Sequence, residues 1–422
     1  MLFCSFAIGE NILKVSKKCY VFIAVMYMFT LQFWMMRKVT LFQYWDEIYA
    51  LLAIPLAIVS SKGKIRIKKG NKYTKRIIIA LMLFVAVGLL SNVIFRYQKW
   101  LAAMQDVFIN LKFFLGIATT YYLFRRFDIY KYKNKINFHA KVLIVLFFVL
   151  AIQNKVTHVF EVADGRFGIS AEKLFFNHPT ELASTTFFLL LVLMLTYSSA
   201  RKEILFVAVA SVVILMTLRF KAVASVMLFI YMYLIVLSGR KMKMLYLLPL
   251  LPFIVAVGGK EFFFYFFGEN TMDMARGALT YTSLKVANDT FPLGAGFGTF
   301  ASWMSGVHYS PLYLMYEVDG VWGLGKEWPG LVSDVFWPMI IAQNGYIGLL
   351  IYIFIIYCLF RLIMQCSKHD KKLFMAGIGA LSYLLISSIA ESAFVNPLAL
   401  PLSFIIGLCI CACKQKEREI IR

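Results

Sequence analysis

The chain reads as an all-α, polytopic integral membrane protein with about twelve transmembrane helices. Three observations predict this. The mean hydropathy is +0.75. Apolar residues make up 61% of the 422 positions against 16% charged, too little polar material to coat two or three soluble domains. Apolar runs near twenty residues long recur from end to end and are apolar on every face, as in Ile77 to Phe95 and Val335 to Phe360. That texture also excludes a transmembrane barrel, whose strands are short and alternate in polarity.

The expected spans are 19–36, 41–60, 77–95, 106–124, 142–153, 179–198, 204–218, 222–238, 245–257, 335–360, 373–390 and 398–413, the fifth and ninth being short. With the N-terminus placed inside, the inner segments hold 30 of the 44 Lys and Arg residues and the outer segments 13, with Lys112 inside the fourth span. The positive-inside rule therefore predicts cytoplasmic N- and C-termini. The formal net charge of +22 is then mostly topology and attraction to anionic headgroups, as in the run Lys62 to Lys69, and nucleic acid is not an expected partner.

The first span is expected to act as an anchor, because Met1 to Glu10 is short and has no early basic region of the kind a cleavable signal carries. All seven cysteines fall toward the inner side, so no disulfide framework is expected. Cys409, Cys411 and Cys413 lack zinc-site spacing and suit close helix packing.

No internal repeat is visible. Inner loops are short and basic, whereas the outer side carries two long segments, Asn154 to His178 and Gly258 to Asp334. The chain thus divides into helices 1–9 over 1–257, a lid-like outer segment over 258–334, and helices 10–12 with a basic tail over 335–422. Within the lid a helix is expected from about Asp273 to Ala287, and the aromatic stretch Glu261 to Phe267 suits the membrane interface.

Chemistry is expected at the outer ends of the spans. Arg219-Phe220-Lys221 forms a hairpin so tight that both cations sit at membrane depth or immediately above it, where charge is costly without an anion or a wet cavity. Two readings stand: the side chains snorkel to headgroup phosphates, or they bind a lipid-linked phosphate or diphosphate, for which the guanidinium fork is suited. On one straight helix they would point about 200° apart, so both reach one diphosphate only if the hairpin is unwound. Arg276 and Lys285, nine residues apart, point to opposite faces of a lid helix, and Arg276 is the candidate ligand contact, against a solvated lid position.

Gly294-Ala295-Gly296-Phe297-Gly298 is not a nucleotide loop, since it lacks the preceding strand and the following Lys-Ser or Lys-Thr pair. A backbone turn that approaches substrate or packs on a helix is expected instead. Pro179 and Glu181 suit the start of a helix, and His178 before them is either part of that cap or a proton-handling group. Asp334 and Glu391 open and follow outer span ends; each is a candidate general base for a sugar hydroxyl or a partner for a neighbouring arginine. Asp46 and Glu47 lie about 8 Å below the outer edge, and Lys112 at similar depth is their expected structural partner.

In order, Arg166, His178-Pro179, Arg219-Phe220-Lys221, Arg276, the run Phe291 to Phe300, Asp334, the run Asn344 to Leu350 and Glu391 resemble the O-antigen polymerase and O-antigen ligase superfamily of bacterial surface-polysaccharide enzymes, from about Arg166 onward. The resemblance implies a GT-C-type membrane glycosyltransferase acting at the outer face of the bacterial cytoplasmic membrane on undecaprenyl-diphosphate-linked oligosaccharide, with no metal and no cofactor. The ligase branch typically carries His where this chain has Asp334, so the resemblance favours a polymerase. In that reading Arg219, Lys221, Arg276 and Arg166 hold the diphosphate, while Asp334, Glu391 and His178 are the candidates for orienting or deprotonating the acceptor. Flippase and chain-length-regulating proteins are the expected protein partners. The alternatives are a ligase and a lipid-linked oligosaccharide flippase or exporter, the latter expected to line a cavity with charge through the full membrane depth.

Overall fold

The computed structural model describes residues 17–61, 71–166, 168–237, 263 and 266–421. Its helices are α1 (Lys17–Lys38), α2 (Trp45–Leu51), α3 (Ala53–Ser61), α4 (Lys72–Phe95), α5 (Trp100–Phe124), α6 (Lys133–Thr157), α7 (Pro179–Thr196), α8 (Ala200–Met216), α9 (Phe220–Leu237), α10 (Ala275–Asp289), α11 (Trp303–Val307), α12 (Leu312–Met315), α13 (Trp337–Cys366), α14 (Lys371–Ser387) and α15 (Ala399–Ile421). Among the described residues eight helical segments are long and apolar enough to cross a membrane, and the protein is an all-α polytopic membrane protein. The expected spans 204–218, 222–238 and 373–390 are helices of 17, 18 and 17 residues. The expected span 245–257 and the basic run Lys62 to Lys69 lie outside the described residues.

Burial follows sequence character. Helix α7 is apolar all round and is the centre of the bundle, with 94% of its span buried, followed by α15 at 83%; the segment 40–60 is the most peripheral at 22%. Thr186 and Thr196 return their hydroxyls to the Leu182 and Val192 carbonyls at 2.8 Å, so these polar groups cost little inside α7.

Two sequence expectations are corrected. The fifth span is not short: α6 has 25 residues, because Lys141 pairs with Glu203 at 2.8 Å and Lys135 stacks over the Tyr20 ring, which lets the helix continue through its basic end. The second span is broken into a 3₁₀ turn (Thr40–Tyr44), α2 and α3. Pro55 cannot donate to the Leu51 carbonyl, and α2 ends there. The segment after α6 also forms a small antiparallel hairpin, β1 (Ala163–Arg166) with β2 (Ile169–Ala171), turned through Gly168 at φ +74°.

The glycine cluster packs on a helix. Gly345 breaks α13 with φ 62° and ψ −167°, a conformation open essentially to glycine alone. The break leaves carbonyls of the preceding turn without helical partners, and Ala342 and Gln343 accept instead from Ala295 N–H and Gly296 N–H, both at 2.8 Å. A Cβ on Gly294 would stand 2.3 Å from Gly345 N, so backbone meets backbone without side chains between them. The lid is thereby riveted into the bundle beside α4 and α13.

Candidate functional site

Four helices begin near one another at one end of the bundle. Helix α7 starts at Pro179 with His178 as its N-cap, whose Nδ1 accepts from Thr180 N–H at 3.2 Å, while Glu181 reaches back to Asn177 N–H at 3.0 Å. Helix α9 starts after a three-residue turn, with Leu218 at φ +51° and the Arg219 carbonyl accepting from Ala222 and Val223 N–H. The turn therefore precedes both cations: Arg219 caps α9 and Lys221 lies in its first turn, so the expected unwinding between the two is replaced by a break at Leu218. Helix α10, the expected lid helix, carries Arg276 in its first turn. Helix α13 follows Asp334 by three residues, and Glu391 lies four residues beyond the end of α14.

These ends place the candidate side chains together. Arg276 Nε donates to Asp334 Oδ2 at 2.6 Å, with the side chains 26% and 28% exposed. Lys221 forms an ion pair with Glu391, the side chains 18% and 14% exposed. The two pairs adjoin. Burial raises the pKa of Asp334 above the ordinary carboxylate value, opposed by Arg276 and Lys221 and reinforced by Glu391. His178 adjoins both pairs: loss of water on its packed side, and then the positive charges of Arg219, Lys221, Arg276 and Lys173, hold its pKa at about 4. With Lys173 paired to Glu161 at 2.8 Å, Arg219, Lys221 and Arg276 face the carboxylates of Asp334 and Glu391 around a neutral imidazole, and the partial positive charge of four helix N-termini adds to that excess. The arrangement favours a bound anion.

Two sequence expectations change in this geometry. His178 at neutral pH has its Nδ1 lone pair committed to the cap, so its proton sits on Nε2 and the ring offers a donor to the site; it is not built as a general base. Asp334 and Glu391 are each held by a cation, so neither is a freestanding base in this state. Arg166 lies in β1, and the position of its side chain is outside the described residues. Its strand partner leads to Glu172, whose N–H donates to the Met216 carbonyl at 2.9 Å, which ties the hairpin to the turn that carries Arg219. Lys285 is exposed on α10, away from the half-buried Arg276.

Below the site, Lys112 joins α5 to α2 by ion pairs with Asp46 and, at 3.3 Å, Glu47, with the Lys112 and Asp46 side chains only 5% and 2% exposed. The sequence reading did not single out a second polar cluster. Asn92 brackets Phe297 by donating to its carbonyl at 3.0 Å and accepting its N–H at 2.7 Å, and Asp106 Oδ2 accepts Gly298 N–H at 2.9 Å. Asn344 Nδ2 donates to the Phe84 carbonyl at 3.1 Å across the α13 break. Asn92 and Asp106 thereby satisfy irregular lid backbone that is buried inside the protein. Their signal was an isolated amide and an isolated carboxyl in otherwise apolar spans.

In comparisons with known proteins, neither a family model nor a curated protein matches the chain. What defines the class is the molecule's own architecture: a polytopic helical membrane protein with an anion-favouring site where four helices begin.

Proposed function

We propose that the protein is a GT-C-type membrane glycosyltransferase that polymerises undecaprenyl-diphosphate-linked oligosaccharide repeat units into a surface polysaccharide, an O-antigen, capsule or exopolysaccharide, at the outer face of the bacterial cytoplasmic membrane. The single observation that supports it is the gathering of Arg219, Lys221 and Arg276 with Asp334 and Glu391 at helix N-termini on one end of the bundle.

A growing glycan leaves its carrier as a diphosphate, and fixed cations in a site drier than bulk water stabilise the charge that develops on it. Arg219 and Lys221, at the start of α9, grip the phosphates. The ion pairs supply the coupling to the acceptor. As Arg276 exchanges Asp334 for a phosphate oxygen, Asp334 loses the neighbour that most lowers its proton affinity and becomes the stronger base for the acceptor hydroxyl. The His178 Nε2–H donates to substrate oxygen. Attack of the acceptor oxygen on the anomeric carbon breaks the bond to the diphosphate in one displacement and inverts the configuration.

Deletion of the gene followed by a surface-polysaccharide gel tests the reading. Products of a single repeat unit support a polymerase. Full-length polymer left unattached turns the assignment to a ligase, and loss of lipid-linked units from the outer face turns it to a flippase. NMR of the new linkage checks inversion; a retained anomeric configuration contradicts the single displacement.

A further inference from the structure

A cavity of about 350 Å³ adjoins the site and is used by nothing described above. That size falls in the range of small-molecule pockets, roughly 300–1,000 Å³. Its polar wall is the Asp46, Glu47 and Lys112 triad; Ser333 and Ser392, chain neighbours of Asp334 and Glu391, connect it to the two ion pairs; Trp303 lines it from the lid with 57% of its surface exposed. Met339, Ile109 and Val395 complete an apolar side.

From this lining we infer that the cavity binds an uncharged, hydroxyl-rich pyranose, which on the glycosyl-transfer reading above is the terminal sugar of the acceptor. Carboxyls, an ammonium and hydroxyls at one wall present acceptors and donors together, and vicinal sugar hydroxyls are both donors and acceptors. Hydrogen bonds from hydroxyls to a carboxylate out of water are about twice as strong as neutral ones. The Glu47 side chain, 31% exposed, brings the triad's acceptor capacity to the cavity wall. Trp303 and the apolar side suit the C–H face of a sugar ring, which an aromatic face attracts. An anionic sugar or a free phosphate is disfavoured here, because it enters beside two carboxyls whose ammonium is already shared between them. The phosphate-binding end and the sugar-binding cavity are therefore separate parts of one cleft, joined through the Ser333-Asp334 and Glu391-Ser392 pairs.

The test is saturation-transfer NMR on the purified full-length protein in nanodiscs, with methyl glucoside, methyl galactoside, methyl rhamnoside and methyl N-acetylglucosaminide as probes and glucuronic acid as the anionic counterpart. At least one neutral glycoside is expected to receive saturation on its ring protons, and glucuronic acid none. Trp303→Ala, at an exposed position that opens no core void, weakens binding about tenfold. Ser333→Leu, which adds bulk to the cavity, abolishes it. Absence of saturation for every glycoside, equal binding of glucuronic acid, or binding indifferent to both substitutions overturns the inference. Sugar binding with unchanged polysaccharide after gene deletion overturns the polymerase reading while the cavity assignment stands; loss of elongation without sugar binding overturns the cavity alone.

Discussion

Replacing Arg276 by alanine removes a guanidinium whose Nε lies 2.6 Å from Asp334 Oδ2 and leaves a largely buried carboxyl beside Glu391. A hydrogen bond to a charged group contributes about 1.5–3 kcal/mol when it is withdrawn from water. With both side chains about a quarter exposed, solvent screening reduces that to about 1–2 kcal/mol. The assay is a double-mutant cycle of Arg276→Ala and Asp334→Ala, with equilibrium unfolding in mixed detergent micelles of rising denaturing-detergent fraction. The expected coupling energy is about 1–2 kcal/mol, because the second substitution removes a partner already stranded by the first. The single Arg276→Ala variant also gains a pH dependence: burial without the guanidinium raises the Asp334 proton affinity further, so the folded state binds a proton the unfolded chain does not, and stability declines as pH rises through that range. Additive effects, within about 0.3 kcal/mol, would refute the claim that this pair organises the entrance to α13.

Gly345→Ala imposes a side chain at φ 62° and sets its Cβ 2.4 Å from the Pro292 carbonyl, for an expected loss of about 2–5 kcal/mol from strain and overpacking together; a thermal-unfolding midpoint equal to the parent's contradicts the backbone-to-backbone contact. Lys112→Met leaves Asp46 and Glu47 without their ammonium in a buried position and is expected to cost about 3–5 kcal/mol; expression yield and unfolding of the variant against the triple apolar replacement check it, the triple being the more stable of the two. His178 has a folded-state pKa of about 4 against 6.5 in the ordinary case, so the unfolded chain binds the extra proton between those values. Its stabilising share is complete above about pH 6.5 and lost as pH falls toward 4; His178→Asn, which keeps a capping side chain, flattens that slope, and an unchanged slope contradicts the assignment.

The membrane fold was legible because hydropathy and chain length constrain helices strongly, and the eight long apolar segments among the described residues each overlap an expected span. The ends of the spans were less so. Lys133, Lys135 and Lys141 read as a loop, yet their pairing and stacking partners let α6 absorb them. The cations Arg219, Lys221 and Arg276 stood out because charge near a membrane needs a reason, whereas their partners did not: Asp334 is 58 residues from Arg276, and Glu391 is 170 from Lys221. Periodicity says which face a residue occupies and nothing of which distant face it meets. The same limit hid the Asn92 and Asp106 clamp, since its purpose is set by a loop some 200 positions away, at Phe297 and Gly298. His178 was legible as a residue with two possible roles, and only the Thr180 contact separates a cap from a base.

Chain length of the surface polysaccharide in cells carrying chromosomal Arg219→Ala, read on a gel beside Lys62→Ala, is the most direct measurement of the central claim. The account predicts single-repeat products for the first and a parental ladder for the second. Long chains in the Arg219→Ala strain, with the variant present in the membrane at the parental level, contradict it.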